Sequence, residues 1–228
     1  MASTLKPIKV WGKGGPNPPK VSMLLEVLGV PYEAQEISFA DLKKTDYLAI
    51  NPNGRMPSIQ DPNTGITVWE SGAIFEYIIE KYDTEKKLSF EPGTTEYYHA
   101  KQWLFFQVSG QGPYYGQFAW FFNYHPEKIE SAINRYAQEV KRVTGVLEGH
   151  LKAQKEKAGT GSDGPWLVGD KFSYADIVFV TWQHIADVMI PDDLYDAKEF
   201  PVVKEWLARL TAKEGIKKVV EQQLSRAT

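Results

Sequence analysis

The feature that most limits the fold of this chain is a change of hydrophobic period near residue 83. Before it, short apolar runs alternate with helical spacing. Beyond residue 93, only helical spacing remains. Ile8 to Trp11 is a short apolar strand, and a Gly/Pro-rich turn from Gly12 to Pro19 follows it. Val21, Leu24, Leu25 and Leu28 then fall at i, i+3, i+4 and i+7, which predicts a helix that Gly29 stops. Tyr32 to Ile37 reads as a strand, and Asp41 to Ile50 as a short helix ending in the turn cluster Asn51-Pro52-Asn53-Gly54. Ser58 to Asp61 and Ile66 to Trp69 are separated by so few residues that they must pair as an antiparallel hairpin. A helix with Ile74, Phe75, Ile78 and Tyr82 on one face completes a βαβαββα order. An α/β unit at 1–83, a polar linker at 84–93 and an all-helical domain at 94–228 are the expected organisation.

In the helical part, Ile129, Ile133, Tyr136, Val140, Val143, Leu147 and Leu151 step by four and three along one seam. The sequence Ser109-Gly110-Gln111-Gly112-Pro113 interrupts an aromatic-rich helix between Trp103 and Tyr124, as a kink with a steric cause would. Ala158 to Pro165 reads as a loop, and Ile177 to Met189 as a helix buried nearly all round. Ser173-Tyr174-Ala175-Asp176 is a capping box in front of it.

Composition removes several classes of chemistry. The formal charge is -3, from 26 basic and 29 acidic residues, so no nucleic-acid partner is expected. With no cysteine, the chain forms no disulfide, no cysteine nucleophile and no zinc–thiolate site. Any thiol must arrive on a ligand. The four histidines have no metal spacing, so no metal is expected. The N-terminal segment lacks an apolar signal core, and no apolar run is long enough to cross a membrane. A cytoplasmic protein without membrane partners is the expectation.

Three segments are candidates for chemistry. Gly12 to Asn17 joins a strand to a helix; it reads as a plain turn or as an anion site that uses backbone N–H groups and the positive helix end. It fits neither GxGxxG nor the Walker pattern. Arg55-Met56-Pro57-Ser58 is a strand start, or, if Met56-Pro57 is cis, a backbone edge open to a ligand. Glu70-Ser71 is a helix cap, or a reader of an α-amino acid end: the helix N-terminus and the Ser71 hydroxyl for a carboxylate, Glu70 for the amine.

The chain resembles a cytosolic glutathione transferase over nearly its whole length. Its motifs Pro16-Asn17-Pro18-Pro19-Lys20-Val21, Asn51 through Pro57, Trp69 through Ile74 and Asn134-Arg135-Tyr136 are similar to the fungal class of the yeast nitrogen-catabolite regulator, related to the bacterial Nu class. The resemblance implies a thioredoxin-like glutathione-binding domain followed by an all-α domain holding an electrophile site. Glu70 and Ser71 would hold the γ-glutamyl amine and carboxylate, and Met56, before a cis Pro57, the cysteinyl backbone. Asn17 would stand at the sulfur, as the catalytic residue, where other classes place Tyr, Ser or Cys. Arg55 and Arg135 would assist carboxylate binding. Where relatives carry Gln or His this chain has Leu42, so Lys43 or Lys44 would supply the cation for the glycyl carboxylate.

The implied activity is conjugation of glutathione to hydrophobic electrophiles, with glutathione-dependent disulfide reduction as a second possibility. A homodimer is expected by the same resemblance. A non-enzymatic glutathione-binding or regulatory module of the same fold is the alternative; no Asn/Gln-rich tail precedes Lys6, which points away from the prion-like regulator.

Overall fold

The computed structural model describes residues 5–12, 15–158 and 163–224. Two compact units emerge: the residues up to Ser89 together with those from Thr211 onward, and Phe90–Leu210.

The first unit is built on a four-stranded sheet: β1 (Ile8–Trp11), β2 (Tyr32–Gln35), β3 (Ser58–Asp61) and β4 (Ile66–Trp69). Their spatial order is β2-β1-β3-β4. β1 and β2 run parallel, while β1–β3 and β3–β4 are antiparallel. This is the thioredoxin-like arrangement, because α1 (Asn17–Leu28) makes the long crossover that a parallel pair requires. Ile8, Val10 and Ile59 from the central strands are fully buried, as are Val21, Leu24 and Leu25 of α1. Ile74, Phe75 and Ile78 of α3 (Ser71–Tyr82) join them. Gly29 ends α1 with φ 69°, and its N–H reaches the carbonyls of Glu26 and Leu25.

The segment expected as one helix at Asp41–Ile50 is split. A 3₁₀ turn at Asp41–Lys43 precedes α2 (Thr45–Leu48), with Lys44 extended at ψ 154° between them. β2 also stops at Gln35, short of the expected Ile37.

The second unit holds α4 (Thr95–Phe106), α5 (Gly112–Ala119), α6 (Glu130–Ala158), α7 (Tyr174–Ile177), α8 (Val180–Met189) and α9 (Pro201–Ala212) up to Leu210. The α6 seam is buried at Ile133, Val140, Val143, Leu147 and Leu151. The kink at Ser109–Pro113 is a widened π turn, Gln107–Gln111, in which the Gly112 N–H reaches back to the Gln107 carbonyl. Pro113 has no N–H for a regular i−4 bond, and the wider turn absorbs that loss. The capping box forms, with the Ser173 N–H donating to Asp176 Oδ2 at 3.0 Å. Part of the Ala158–Pro165 loop, residues 159–162, lies outside the described residues.

The chain end departs from the expected 94–228 domain. α10 (Glu214–Val219) packs on α1 in the first unit, burying Ile216 and Val219 completely. Gly215 allows this: a Cβ there would lie 3.1 Å from both Glu26 Cβ and Val27 N.

Candidate functional site

A cleft of about 250 Å³ opens in the first unit, lined by Asn17, Asn51, Asn53, Arg55, Met56, Pro57, Glu70 and Ser71. Every lining residue lies in a loop or at a helix start, as sites on a rigid scaffold commonly do.

Asn17 is the first residue of α1. Prolines at 18 and 19 pre-set the first helical turn but remove two of its free N–H donors. This helix start therefore offers an anion fewer backbone donors than one without prolines. Lys13 and Gly14, in the middle of the candidate anion loop, lie outside the described residues. Gly12 brings that loop against the next wall: at φ 111°, a Cβ would lie 2.8 Å from Met56 Cβ and 2.9 Å from Pro18 Cγ.

Met56-Pro57 is cis. No hydrogen bond between described residues uses the Met56 N–H or C=O. An unpaired peptide edge therefore faces a cleft, the arrangement in which a ligand's own backbone can be read.

Glu70 caps α3 with φ 70° and ψ 117°, a region that costs a non-glycine residue on the order of 1–3 kcal/mol. Asn53 Nδ2 donates to its Oε1 at 3.5 Å. Ser71 follows as the first helical residue and is buried. The open N–H groups of the first α3 turn and the Ser71 hydroxyl can hold a carboxylate, with the Glu70 carboxylate beside them for a cation.

The other expected site residues divide. Arg55 lines the cleft. Lys43 lies beside it, with Nζ donating to the Asn53 carbonyl at 2.9 Å. Lys44 is bound instead to Asp41 at 2.5 Å, a contact that raises the lysine's pKa and lowers the aspartate's. Leu42 is buried in the fold. Arg135 belongs to α6 of the second unit, where it binds Glu139 at 2.6 Å, and Arg142 holds the other Glu139 oxygen at 2.8 Å. Those hydrogen bonds, Arg135's first, keep the Glu139 carboxyl below the usual range.

Three further residues, given no site role above, stand out. Asn51 and Asn53, turn residues within the Asn51–Pro57 motif, both line the cleft. Lys20 is 1% exposed, and burial pushes its pKa down to about 7 against the opposing attraction of Glu70. Its sequence signal was a charged residue in register with buried Met23 and Leu24, at the stripe positions of α1.

In the second unit, the aromatic helix carries a small apolar crevice between α5 and α8, bounded by Phe118, Trp182 and Met189. Phe105, Trp120 and Tyr124 are exposed large apolar side chains of the same segment.

The family model for the glutathione S-transferase N-terminal domain matches residues 6–80, and that for the C-terminal domain matches 113–214. A glutathione S-transferase-like protein, gedE, of Aspergillus terreus is 54% identical, covering 96% of each chain. Glutathione S-transferase 1 of Schizosaccharomyces pombe is 40% identical over 92% of this chain and 93% of its own length. Among solved structures, the glutathione transferase URE2P6 of Phanerochaete chrysosporium, in complex with oxidized glutathione, superimposes with a TM-score of 0.88. It is 44% identical and covers 96% of this chain and 97% of its own. A glutathione transferase homolog of Lodderomyces elongisporus, with two GSH per subunit, gives 0.86 at 35% identity, covering 96% and 99%.

Proposed function

Since this chain belongs to the glutathione transferase family, we propose that the cleft between Asn17 and Ser71 binds glutathione and supports transfer of its thiol to a hydrophobic electrophile. One observation carries the reading: three segments far apart in sequence bring a free Met56 peptide edge, the Glu70-Ser71 helix start and Asn17 to one cleft. Glu70 takes the γ-glutamyl ammonium, and Ser71 with the α3 N-terminus takes the adjacent carboxylate. Met56 pairs with the cysteinyl backbone, and Asn17 donates its amide N–H to the sulfur. Arg55 and Lys43 stand at the rim as cations for the glycyl carboxylate, while Lys44 and Arg135 are occupied by Asp41 and Glu139.

The chemistry limits what Asn17 must do. A free thiol with pKa about 8.5 is roughly 3% thiolate at pH 7. Lowering it by about two units takes about 2.7 kcal/mol of preference for the anion and gives roughly three-quarters thiolate. The accompanying loss of nucleophilicity leaves a net gain of only about 2.5-fold to fourfold. Holding the second substrate against the sulfur must supply the rest.

Disulfide reduction is a second reading of the same site. It is favoured by the oxidized glutathione and the two GSH per subunit in the neighbouring structures. With no cysteine in the chain, both thiols would come from glutathione. Titration calorimetry with glutathione tests the reading, and turnover of an aryl halide against a small disulfide separates the two reactions. Glu70→Gln should weaken glutathione binding by at least about tenfold, the low end for a charge-assisted hydrogen bond. Absence of binding by the unaltered protein at millimolar glutathione overturns the proposal, and binding without turnover of either substrate selects the non-enzymatic module. A cytoplasmic homodimer is the expected form, and sedimentation velocity checks the subunit count.

A further inference from the structure

The Arg55 carbonyl accepts two side-chain hydrogen bonds. Tyr47 Oη donates to it at 2.8 Å and Asn51 Nδ2 at 2.6 Å. Arg55 itself is exposed, whereas both donors are buried, at 3% and 2%. Each donor is fixed from its other side. Tyr47 Oη lies 2.8 Å from the buried Ser58 hydroxyl. With its one proton given to Arg55, the phenol oxygen accepts from Ser58. Asn51 Oδ1 accepts the Asn53 N–H at 3.0 Å, and the Tyr47 ring meets Trp11 edge-on at 6.0 Å.

These bonds act one residue further along. The Arg55–Met56 peptide is planar and is not among the cis bonds. In a trans peptide the N–H points opposite to the C=O. Two buried donors that hold the Arg55 oxygen inward therefore fix the Met56 N–H in the outward direction, and that N–H has no partner among the described residues. We infer that Tyr47 and Asn51 are positioning residues that aim the Met56 amide at the carbonyl of the ligand's cysteinyl residue. The inference rests on the assignment of Met56 to glutathione's backbone, and neither side chain needs to touch the ligand's peptide to exert the effect.

The test pairs a protein change with a ligand change. The probes are glutathione and its analogue in which a trans-alkene replaces the cysteinyl–glycine amide, removing the acceptor. Tyr47→Phe should weaken glutathione binding by about threefold to tenfold, the worth of one neutral hydrogen bond. It should leave binding of the alkene analogue unchanged within about twofold on the same scale. A folded Tyr47→Phe that binds glutathione like the parent, or that loses both ligands equally, overturns the inference in favour of a purely structural hydroxyl. If Tyr47→Phe does not fold, Tyr47→Phe with Ser58→Ala, which removes the stranded partner hydroxyl as well, carries the same comparison. Failure of both to fold assigns the hydroxyl to the fold and also overturns the inference. A parent that binds both probes equally instead refutes the Met56 assignment, and a parent that binds neither refutes the glutathione reading.

Discussion

Lys20 shows how much a single residue can be displaced by its surroundings. An ammonium with an ordinary pKa of 10.5 is held at about 7 because burial penalises its charged form more than Glu70 stabilises it. A lysine whose folded pKa lies below its unfolded value lowers stability at acidic and neutral pH. That cost is fully present below about pH 7, fades as pH rises toward 10.5 and is absent above it. The shift corresponds to a cost on the order of 5 kcal/mol at pH 7. Lys20→Met should therefore be more stable than the parent at pH 7, and its advantage should shrink by pH 10; urea unfolding at the two pH values reads the difference. An advantage independent of pH would refute the shifted titration. The residues that line the cleft were unevenly legible. Glu70 and Ser71 could be found because they stand where a strand pattern gives way to a helix pattern. Asn51 and Asn53 received no role of their own, because turn chemistry already accounts for them within the Asn51–Pro57 motif.

At the scale of the element, helix starts decide the site's electrostatics. α3 opens with Ser71, Gly72 and Ala73, whose N–H groups are all available for a carboxylate. α1 opens with Asn17-Pro18-Pro19, which leaves fewer backbone donors for a thiolate. The sulfur is then expected to depend on the Asn17 side chain more than on the helix end. Asn17→Ala should raise the pKa of the bound thiol, and titration of thiolate absorbance in the glutathione complex would detect the change. An unchanged titration removes Asn17 from that role. The π turn at Gln107–Gln111 makes a related point. The sequence located the interruption through Gly110, Gly112 and Pro113, but a proline permits a kink, a break or a widened turn. The surrounding helix packing selects among them.

At the scale of the whole molecule, the chain closes on its own beginning. α10 docks on α1 through Ile216 and Val219, where Gly215 leaves room for the Glu26–Val27 backbone. Gly215→Val would put a side chain into a gap already at 3.1 Å and should destabilise the first unit by about 1–3 kcal/mol, the usual cost of overpacking. A denaturant midpoint equal to the parent's would refute that packing role. The sequence by itself determined the strand–helix order, the hairpin, the cap at Gly29, the α6 seam and the change of class after residue 83. Each of these depends on residues close together in the chain, through periodicity, turn chemistry and missing N–H groups. Tertiary structure alone decided which unit the last helix joins, and that Lys20 is buried near Glu70. It also decided that two turn residues face a cleft and that Tyr47 and Asn51 converge on the carbonyl beside Met56. Those outcomes depend on which surfaces meet across long stretches of chain, and no local pattern records the meeting.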